Sequence, residues 1–404
     1  MSETKVLRPR LDAVDFVRGL VMVIMLLDHT RDYVHGAALQ FDPLDLTHTT
    51  LGIYFTRWIT HLCAPIFVFL SGASLQFQLQ RGKPKSELST FLLTRGLWLM
   101  LCEFTLVRSL VFFNLDYRFL GMAQVIWVIG LSMVCMAALI HLPLRALGVF
   151  GVAMILGHNG LDRIQFAPWQ GPGTPGPGLW GSVWAVLHQQ ALLPMGPDHY
   201  LLLAYPLIPW VGVMAAGCAF GAIYGWEAQR RRGFLLRLGA GMILGFILLR
   251  SLNLYGDLHP WSPQATPLFT FLSFMKVEKY PPSLDYLLVT LGPGILALAW
   301  AEGRDFGTLG RASITFGRVP MFFYLLQWPT AHGLAILASL LAGKPFDHLF
   351  LNLPELFTKA KPGAGFGLPM VYALWILGVL LLFPLCRWFA GVKARRRDWW
   401  LSYL

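Results

Sequence analysis

The stretch LDAVDFVRGLVMVIMLLDHTRDYV, residues 11–34, decides the fold. Its middle, VMVIMLL (residues 21–27), is wholly apolar, whereas charged residues stand near both ends. A helix of this length covers about 36 Å, which is enough to cross the roughly 30 Å of hydrocarbon in a bilayer. No small-residue cleavage site follows the apolar run, so we expect a retained membrane helix and not a signal peptide.

The rest of the chain repeats this pattern. Of its 404 residues, 56% are hydrophobic and only 13% are charged, which argues against a water-soluble globule. The composition predicts an all-α fold: a polytopic transmembrane bundle of about ten helices, forming a single domain over residues 1–404. The predicted spans are 11–34, 52–77, 88–113, 122–140, 144–156, 201–226, 234–252, 284–300, 313–341 and 368–390.

The distribution of charge predicts the orientation. Positive residues concentrate in cytoplasmic loops. Ten alternating spans with both termini in the cytoplasm place the short basic clusters inside, at Lys5, Arg8, Arg10, Arg81, Lys83, Lys85, Arg145, Arg230, Arg231, Arg232, Arg304, Lys393, Arg395, Arg396 and Arg397. The net charge of +11 is therefore spread over several loops, which argues against a nucleic-acid-binding stripe.

Long extracytoplasmic loops are predicted at 30–51, 157–200 and 253–283. Such lengths exceed simple turns. The second contains GPGTPGPG (171–178), which we expect to be irregular, followed by a short interfacial helix over 180–193. The third contains Lys279 next to a pair of prolines, and it is either a lid over a site or a solvated loop.

The cysteine and histidine spacings give no reason to expect a metal. Five cysteines lie scattered through apolar stretches, as buried small residues would. His29, His35, His48 and His61 fall in one region, but none of their spacings matches an established ligand motif. We therefore expect no metal.

Ionisable residues in membrane helices are the best functional pointers, because each needs a partner or a cavity. Asp15 and Arg18 are three residues apart and can form a structural ion pair. Arg18 and His29 are eleven residues apart, so they share a helix face about 16 Å from each other. Arg250, Arg318 and His332 are further intramembrane candidates.

His29 is the candidate general base. Asp28 precedes it and Asp32 follows one turn later, so carboxylates are available to orient its imidazole ring. A structural role for His29 is the alternative.

Arg57 and His61 share a face of the second span, and Pro65 one turn later frees a backbone carbonyl. Two such groups indicate an anionic ligand, or pairing with acidic residues of the first span and its loop. Cys63 faces elsewhere, which argues against a Cys–His dyad.

Several motifs resemble those of transmembrane acyltransferases, in particular bacterial relatives of the heparan-alpha-glucosaminide N-acetyltransferase catalytic domain. Their positions are Leu11-Asp-x-x-Asp15-x-x-Arg18-Gly19-Leu20, Asp28-His29, Ala64-Pro65-x-Phe67-Val-Phe69-Leu70-Ser71-Gly72, Tyr205-Pro-x-x-Pro-Trp210, Lys279-Tyr-Pro-Pro-Ser283 and Gly317-Arg-Val-Pro320. The resemblance implies transfer of an acetyl or other acyl group from cytoplasmic acyl-CoA, through a tunnel in the bundle, to an amine or hydroxyl of a sugar on the far side.

The resemblance also suggests residue roles. Arg18 and His29 match the Arg-x10-His spacing of membrane O-acyltransferases, in which the histidine is the catalytic residue. The eukaryotic N-acetyltransferase has its histidine later, in the loop where this chain carries His35 and His48. Gln327 stands where bacterial relatives often carry histidine.

Together these observations give three groups of site residues. His29, Asp28 and His61 are the predicted catalytic residues, and Arg57, Asp32 and Lys279 are predicted to bind substrate. Asp15, Arg18 and Arg318 are predicted to be structural or to line the acyl-CoA tunnel.

The expected setting is a bacterial inner membrane, with acyl-CoA as donor, a small sugar or glycan as acceptor, membrane lipids around the bundle and a homodimer as a candidate assembly. The main alternative is a secondary transporter of a small polar solute, which predicts inverted repeats and a midplane site. The two halves of the chain show no similarity. A non-catalytic membrane scaffold or sensor is a third class.

Overall fold

The computed structural model describes residues 11–171, 173–359, 361–396 and 398–404. The predicted basic residues Lys5, Arg8, Arg10 and Arg397 lie outside them. The protein is mostly helical, with 69% helix and 4% strand. The helices are α1 (Asp12–Val34), α2 (Leu51–Trp58), α3 (Cys63–Gln80), α4 (Lys85–Cys102), α5 (Arg108–Phe112), α6 (Val125–Leu139), α7 (Leu144–Gly157), α8 (Gly178–Leu187), α9 (Trp210–Phe220), α10 (Ala228–Leu252), α11 (Pro267–Met275), α12 (Leu284–Ala301), α13 (Thr308–Arg318), α14 (Pro320–Leu341), α15 (Leu353–Lys359) and α16 (Leu368–Arg395).

Six helical segments of the described chain are long and apolar enough to cross a membrane. They are Leu51–Gln80, Lys85–Phe112, Leu144–Leu161, Ala228–Leu252, Leu284–Ala301 and Leu368–Arg395. Helix α1 is long enough as well, but charged residues near its ends reduce its apolar character. A multi-helix membrane protein is thus the observed class, while the count of ten spans stays a prediction.

A small sheet interrupts the predicted all-α pattern. Strands β1 (Phe119–Ala123), β2 (Ala191–Pro194) and β3 (Tyr200–Leu203) lie in the order β1-β3-β2, with β3 parallel to β1 and antiparallel to β2. The predicted spans 122–140 and 201–226 therefore begin as strands and become α6 and α9. A short apolar run fits a buried strand as well as a helix, which is why the pattern alone did not separate them.

Prolines shape two other predicted spans. Pro320 starts α14 and divides the predicted span 313–341 into α13 and α14. Pro65 lacks an N–H group to donate to the carbonyl of His61, four residues earlier. The predicted free carbonyl is present, and it accepts a hydrogen bond of 2.9 Å from the hydroxyl of Tyr286 on α12. A 3-10 turn, Ile59–Leu62, joins α2 to α3 just before this point.

Close glycine contacts hold α1 against α13. A Cβ atom at Gly19 would lie 1.7 Å from the carbonyl oxygen of Ser313, and one at Gly317 would lie 1.8 Å from that of Asp15. Only glycine permits backbones this close, as at many helix crossings in membranes. The contact explains two glycines of the sequence motifs, and it brings Arg318 next to the start of α1.

Contacts between predicted cytoplasmic segments gather at one end of the bundle. Lys85 Nζ donates to the carbonyls of His141 and Leu142 at 3.4 and 3.3 Å. Arg231 forms an ion pair of 2.7 Å with Glu302. Loops that the charge rule assigns to the same membrane face therefore lie together in pairs, while the identity of that face stays a prediction.

The predicted loops 157–200 and 253–283 contain regular structure. The helix predicted over 180–193 is shorter, since α8 ends at Leu187 and β2 follows. The loop 253–283 contains α11. Arg250 fixes this loop by donating hydrogen bonds to the carbonyls of Phe274 and His259, each at 3.0 Å. Ser283 at its end caps α12 by accepting a hydrogen bond from the Tyr286 N–H at 3.0 Å.

Candidate functional site

Two cavities lined by charged residues lie along α1, one near each end. A cavity of smaller volume lies between them. The His29 cavity, of about 340 Å³, is lined by His29, Asp28, Asp32, Arg57 and Lys279, among others. The Arg18 cavity, of about 240 Å³, is lined by Arg18, Asp15, Arg81 and Arg318. These two groups contain eight of the nine predicted site residues.

A middle cavity of about 90 Å³ lies between the other two and has lining residues in common with each. It shares Arg18 with the Arg18 cavity, and it shares Met25, Phe67, Val125 and Tyr324 with the His29 cavity. The three cavities thus follow one face of α1 from Arg18 to His29.

Asp28 is the centre of an ion-pair cluster. Arg57 Nη1 donates to both carboxylate oxygens of Asp28 at 3.1 Å, and Arg31 Nη2 lies 3.0 Å from one of them. Arg31 also pairs with Asp32 at 2.5 Å. Arg57 therefore pairs with an acidic residue of the first span, Asp28, which is one of the two alternatives that the sequence left open.

His29 has weaker ties to its neighbours. Its Nδ1 lies 3.9 Å from an Asp32 carboxylate oxygen, and this buried nitrogen has no hydrogen-bond partner within the described chain. Its ring packs on Trp328, with the centroids 3.7 Å apart. The imidazole packs on an aromatic ring at the cavity wall, and its Nδ1 forms no hydrogen bond to a carboxylate of the described chain.

Lys279 reaches the cavity from the loop before α12. Its side chain is buried, and its ammonium lies 5.1 Å from the ring centroid of Tyr280 and 5.8 Å from that of Tyr205. Burial raises the pKa of the Tyr280 phenol, but Lys279 and Arg57 outweigh this effect and leave that pKa below its usual value. The loop therefore contributes Lys279 and Tyr280 to the cavity wall and is buried at Lys279, while its role as a lid stays a prediction.

His61 lies apart from the other predicted catalytic residues. It is 1% exposed. It lines a fourth cavity of about 430 Å³, here called the His61 cavity, together with Asp42, Arg250 and Glu278. Arg57, Lys279 and Tyr280 line both this and the His29 cavity and so form the wall between them.

The remaining histidine candidates lie elsewhere. His48 is exposed and bonds to Asp45 at 2.8 Å. His35 is buried at a backbone bridge to Phe366, where burial and Arg31 lower its pKa. Gln327 is fully buried on α14, with both side-chain amide atoms unpartnered in the described chain.

The Arg18 cavity is built from paired charges. Arg18 Nη1 donates to Asp15 at 3.2 Å and Nη2 to Ser74 Oγ at 3.1 Å, while Arg318 donates to Asp12 at 3.1 Å. The predicted Asp15–Arg18 ion pair is confirmed, and Arg318 lies 3.8 Å from the same Asp15.

Sequence patterns did not identify several residues that line the His29 cavity. Leu202 and Ala204 reach it from β3 and the residues beyond it, and Trp328 and Tyr324 reach it from α14. Tyr205 also lines it, and it belongs to the Tyr205-Pro motif. The Tyr205-Pro motif was therefore the one sequence signal that pointed to this wall of the His29 cavity.

The fold and the cavities define a multi-helix membrane protein with polar cavities along α1. A family model described as "Heparan-alpha-glucosaminide N-acetyltransferase, catalytic" matches residues 10–256, more than half of the chain. The protein therefore belongs to this family of transmembrane acetyltransferases. Among curated proteins, none matches the chain. His29, Arg57 and His61 lie within the matched range, whereas Lys279, Arg318 and Trp328 lie beyond it.

Proposed function

We propose that the protein is an acyl-CoA-dependent acyltransferase of a bacterial inner membrane. It moves an acetyl or other acyl group from cytoplasmic acyl-CoA to an amine or hydroxyl of a sugar on the extracytoplasmic side. The observation that carries this proposal is the run of three cavities along α1, from Arg18 to His29.

The donor enters at the Arg18 cavity. Three arginines line it, and only Asp15 among its lining residues is acidic, so it suits the phosphates of CoA. The middle cavity is lined mostly by apolar side chains such as Met22, Ile129 and Met133. It suits the extended pantetheine arm, which carries the thioester toward His29, about 16 Å along the helix.

His29 acts as the general base at the end of this path. It takes the proton from the acceptor nitrogen or oxygen as that atom attacks the thioester carbonyl carbon. The tetrahedral intermediate then collapses, the carbon–sulfur bond breaks, and the proton passes to the CoA thiolate. The products are the acylated acceptor and CoA.

The oxyanion of the intermediate needs a nearby cation or hydrogen-bond donor. Arg57 is engaged by Asp28, so we assign this contact to Lys279, whose ammonium faces the aromatic rings of Tyr205 and Tyr280. Three cations line the His29 cavity, Arg31, Arg57 and Lys279, against the two carboxylates Asp28 and Asp32. One positive charge in excess favours developing negative charge there.

The acceptor enters from the His61 cavity. This cavity has polar walls that include Asp42, Glu278 and Gln264, and it meets the His29 cavity at Arg57, Lys279 and Tyr280. Carboxylates and an amide suit the hydroxyl and amino groups of a sugar. His61 therefore serves acceptor binding in this proposal, rather than proton transfer.

Calorimetric titration of acetyl-CoA into the detergent-purified protein tests the proposal without knowledge of the acceptor. We expect saturable binding of acetyl-CoA and CoA, and much weaker binding of ATP. The exposed Arg237→Gln variant is the control for charge, and it should bind as the wild type does. No binding to a folded sample would refute the acyltransferase and favour the transporter.

A further inference from the structure

A second polar cluster lies at the far end of α7, away from the cavities along α1. His158 and Asp162 stand one helical turn apart where α7 ends in a 3-10 turn, and His188 follows the last residue of α8. All three side chains are buried, with His158 3% and His188 1% exposed. The fold thus brings together two imidazoles and a carboxylate that are up to thirty positions apart.

The donor atoms of these residues are gathered closely. One ligand atom from each of His158, Asp162 and His188 lies within 4.8 Å of the other two. His188 Nε2 is 3.0 Å from Asp162 Oδ1, and Asn159 donates to Asp162 Oδ2 at 2.7 Å. The carboxylate is therefore oriented by a neighbouring amide, as the ligands of protein metal sites commonly are.

The histidine–aspartate contact alone leaves this cluster unsatisfied. Both ring nitrogens of His158, and Nδ1 of His188, are buried without a hydrogen-bond partner in the described chain. Each such group costs about 1–3 kcal/mol when it is left unpaired. A cation at the centre would take up the lone pair of one ring nitrogen of each imidazole and would compensate the buried carboxylate, while the second nitrogen of each ring would carry the proton.

We propose that His158, Asp162 and His188 bind one divalent transition-metal ion of the Zn²⁺ type. Two imidazole nitrogens and one carboxylate oxygen form a donor set that suits Zn²⁺ better than Ca²⁺ or Mg²⁺, which prefer oxygen ligands. A water molecule completes four-coordination. The expectation of no metal rested on the cysteine spacings and on the histidines of the first two spans, and this cluster is not among them.

The ion holds together segments that support the active site. It links the end of α8 to the end of α7. Asn159, which donates to Asp162, also accepts a hydrogen bond of 2.9 Å from the Leu284 N–H at the start of α12. Strands β2 and β3 follow α8 directly, and Leu202 of β3 lines the His29 cavity. In this proposal the ion braces the loop 157–200.

Metal analysis of the full-length protein tests this proposal. The protein is purified with a histidine-free affinity tag, saturated with Zn²⁺, dialysed and assayed for bound zinc. We expect about one zinc ion per chain. We expect its loss in His158→Ala and in the milder Asp162→Asn. His48→Ala is the matched control, because it removes an exposed histidine that also contacts an aspartate three residues away.

Substitution with Co²⁺ separates a built site from surface binding. Tetrahedral Co²⁺ bound to nitrogen and oxygen ligands gives a visible absorption band that is much stronger and lies at longer wavelength than the weak band of octahedral hydrated Co²⁺. We expect this band in the wild type and in His48→Ala, and its loss in His188→Gln, which keeps a polar side chain. Zinc content equal in wild type and Asp162→Asn, or no cobalt band in folded wild type, would overturn the proposal. Acetyl-CoA binding is a separate readout, so its failure is distinguishable from failure of the metal site.

Discussion

The two ends of α1 carry similar charges but have different surroundings. Near its start, Arg18 and Arg318 are paired with Asp12 and Asp15, beside a helix crossing closed by glycines. Near its end, Asp28 is held by two arginines, while the imidazole of His29 and the ammonium of Lys279 line the same cavity, and no carboxylate of the described chain lies closer than 3.9 Å to either. The first arrangement is suited to fixing the helix packing and to binding an anion. The second is suited to proton transfer.

This difference shows how to interpret charges within a membrane helix. A charge that is neutralised by its neighbours can be explained by structure alone, so its presence is not by itself evidence for catalysis. A titratable group at a cavity with an unpaired nitrogen needs another explanation. By this criterion His29 stands out from Asp15, Arg18 and Asp28, although all four belong to the same helix.

The first prediction concerns the glycine crossing at the Arg18 end and has the largest expected effect. Gly19→Ala places a Cβ atom 1.7 Å from the Ser313 carbonyl oxygen, so α1 and α13 must separate. The loss should exceed the roughly 1–3 kcal/mol of ordinary overpacking and leave little folded protein. Size-exclusion profiles in detergent measure this. Gly241→Ala is the control and should fold normally, because the added Cβ has no neighbour within 4 Å in the described chain beyond the adjoining residues and backbone of its own helix. Equal yields for the two variants would mean that the crossing is not tight.

The second prediction removes the proposed base at the other end. His29→Ala should lower the rate of acyl transfer by about 10²–10⁴-fold, the usual contribution of general-base catalysis. Its affinity for acetyl-CoA should change little, because the phosphates bind near Arg18. D-glucosamine serves as the trial acceptor, with His48→Ala as control. A His29→Ala enzyme with normal turnover would remove this residue from the mechanism.

The third prediction tests whether the Arg18 end binds the donor while the His29 end carries out catalysis. Arg318→Gln removes a cation of the Arg18 cavity and should weaken acetyl-CoA binding about tenfold, since hydrogen bonds to charged groups are worth about 1.5–3 kcal/mol when buried and less when exposed. The loss should shrink at high salt. Isothermal titration of the variant, compared with the exposed Arg237→Gln, measures it. An effect on turnover at saturating donor, with unchanged affinity, would contradict the assignment.

The fourth prediction has the smallest effect and concerns the carboxylate nearest to His29. Asp32 is about half exposed and its oxygen lies 3.9 Å from Nδ1, so the contact is worth at most about 1 kcal/mol. Asp32→Asn should therefore reduce turnover by no more than about fivefold. Asp45→Asn, which alters an exposed carboxylate beside His48, should have no effect. A loss as large as that of His29→Ala would mean that Asp32 takes part in proton transfer.

Much of the fold follows from patterns along the chain. Helix α1, the Asp15–Arg18 pair and the carbonyl freed by Pro65 were all predictable, because they depend on residues within one or two helical turns. The sheet was not predictable, since the pairing of Phe119 with Tyr200 joins distant apolar runs that resemble helices.

The site was predictable in part for the same reason. His29, Asp28, Asp32, Arg57 and Lys279 do meet at one cavity. The separation of His61 into a neighbouring cavity depends on the packing of α12 and the loop before it, and local spacing carries no information on either. The cluster of His158, Asp162 and His188 likewise arises only when α7 and α8 end side by side.

The most direct test of the central claim, a donor path from Arg18 to His29, is photo-crosslinking. An acyl-CoA with a diazirine on its acyl group is bound to the purified protein and irradiated, and labelled peptides are identified by mass spectrometry. We expect label on residues around the His29 cavity, such as Trp328, Tyr324 or Leu202, and its loss with excess acetyl-CoA. Label confined to lipid-facing helix surfaces, or not displaced by acetyl-CoA, would contradict the account.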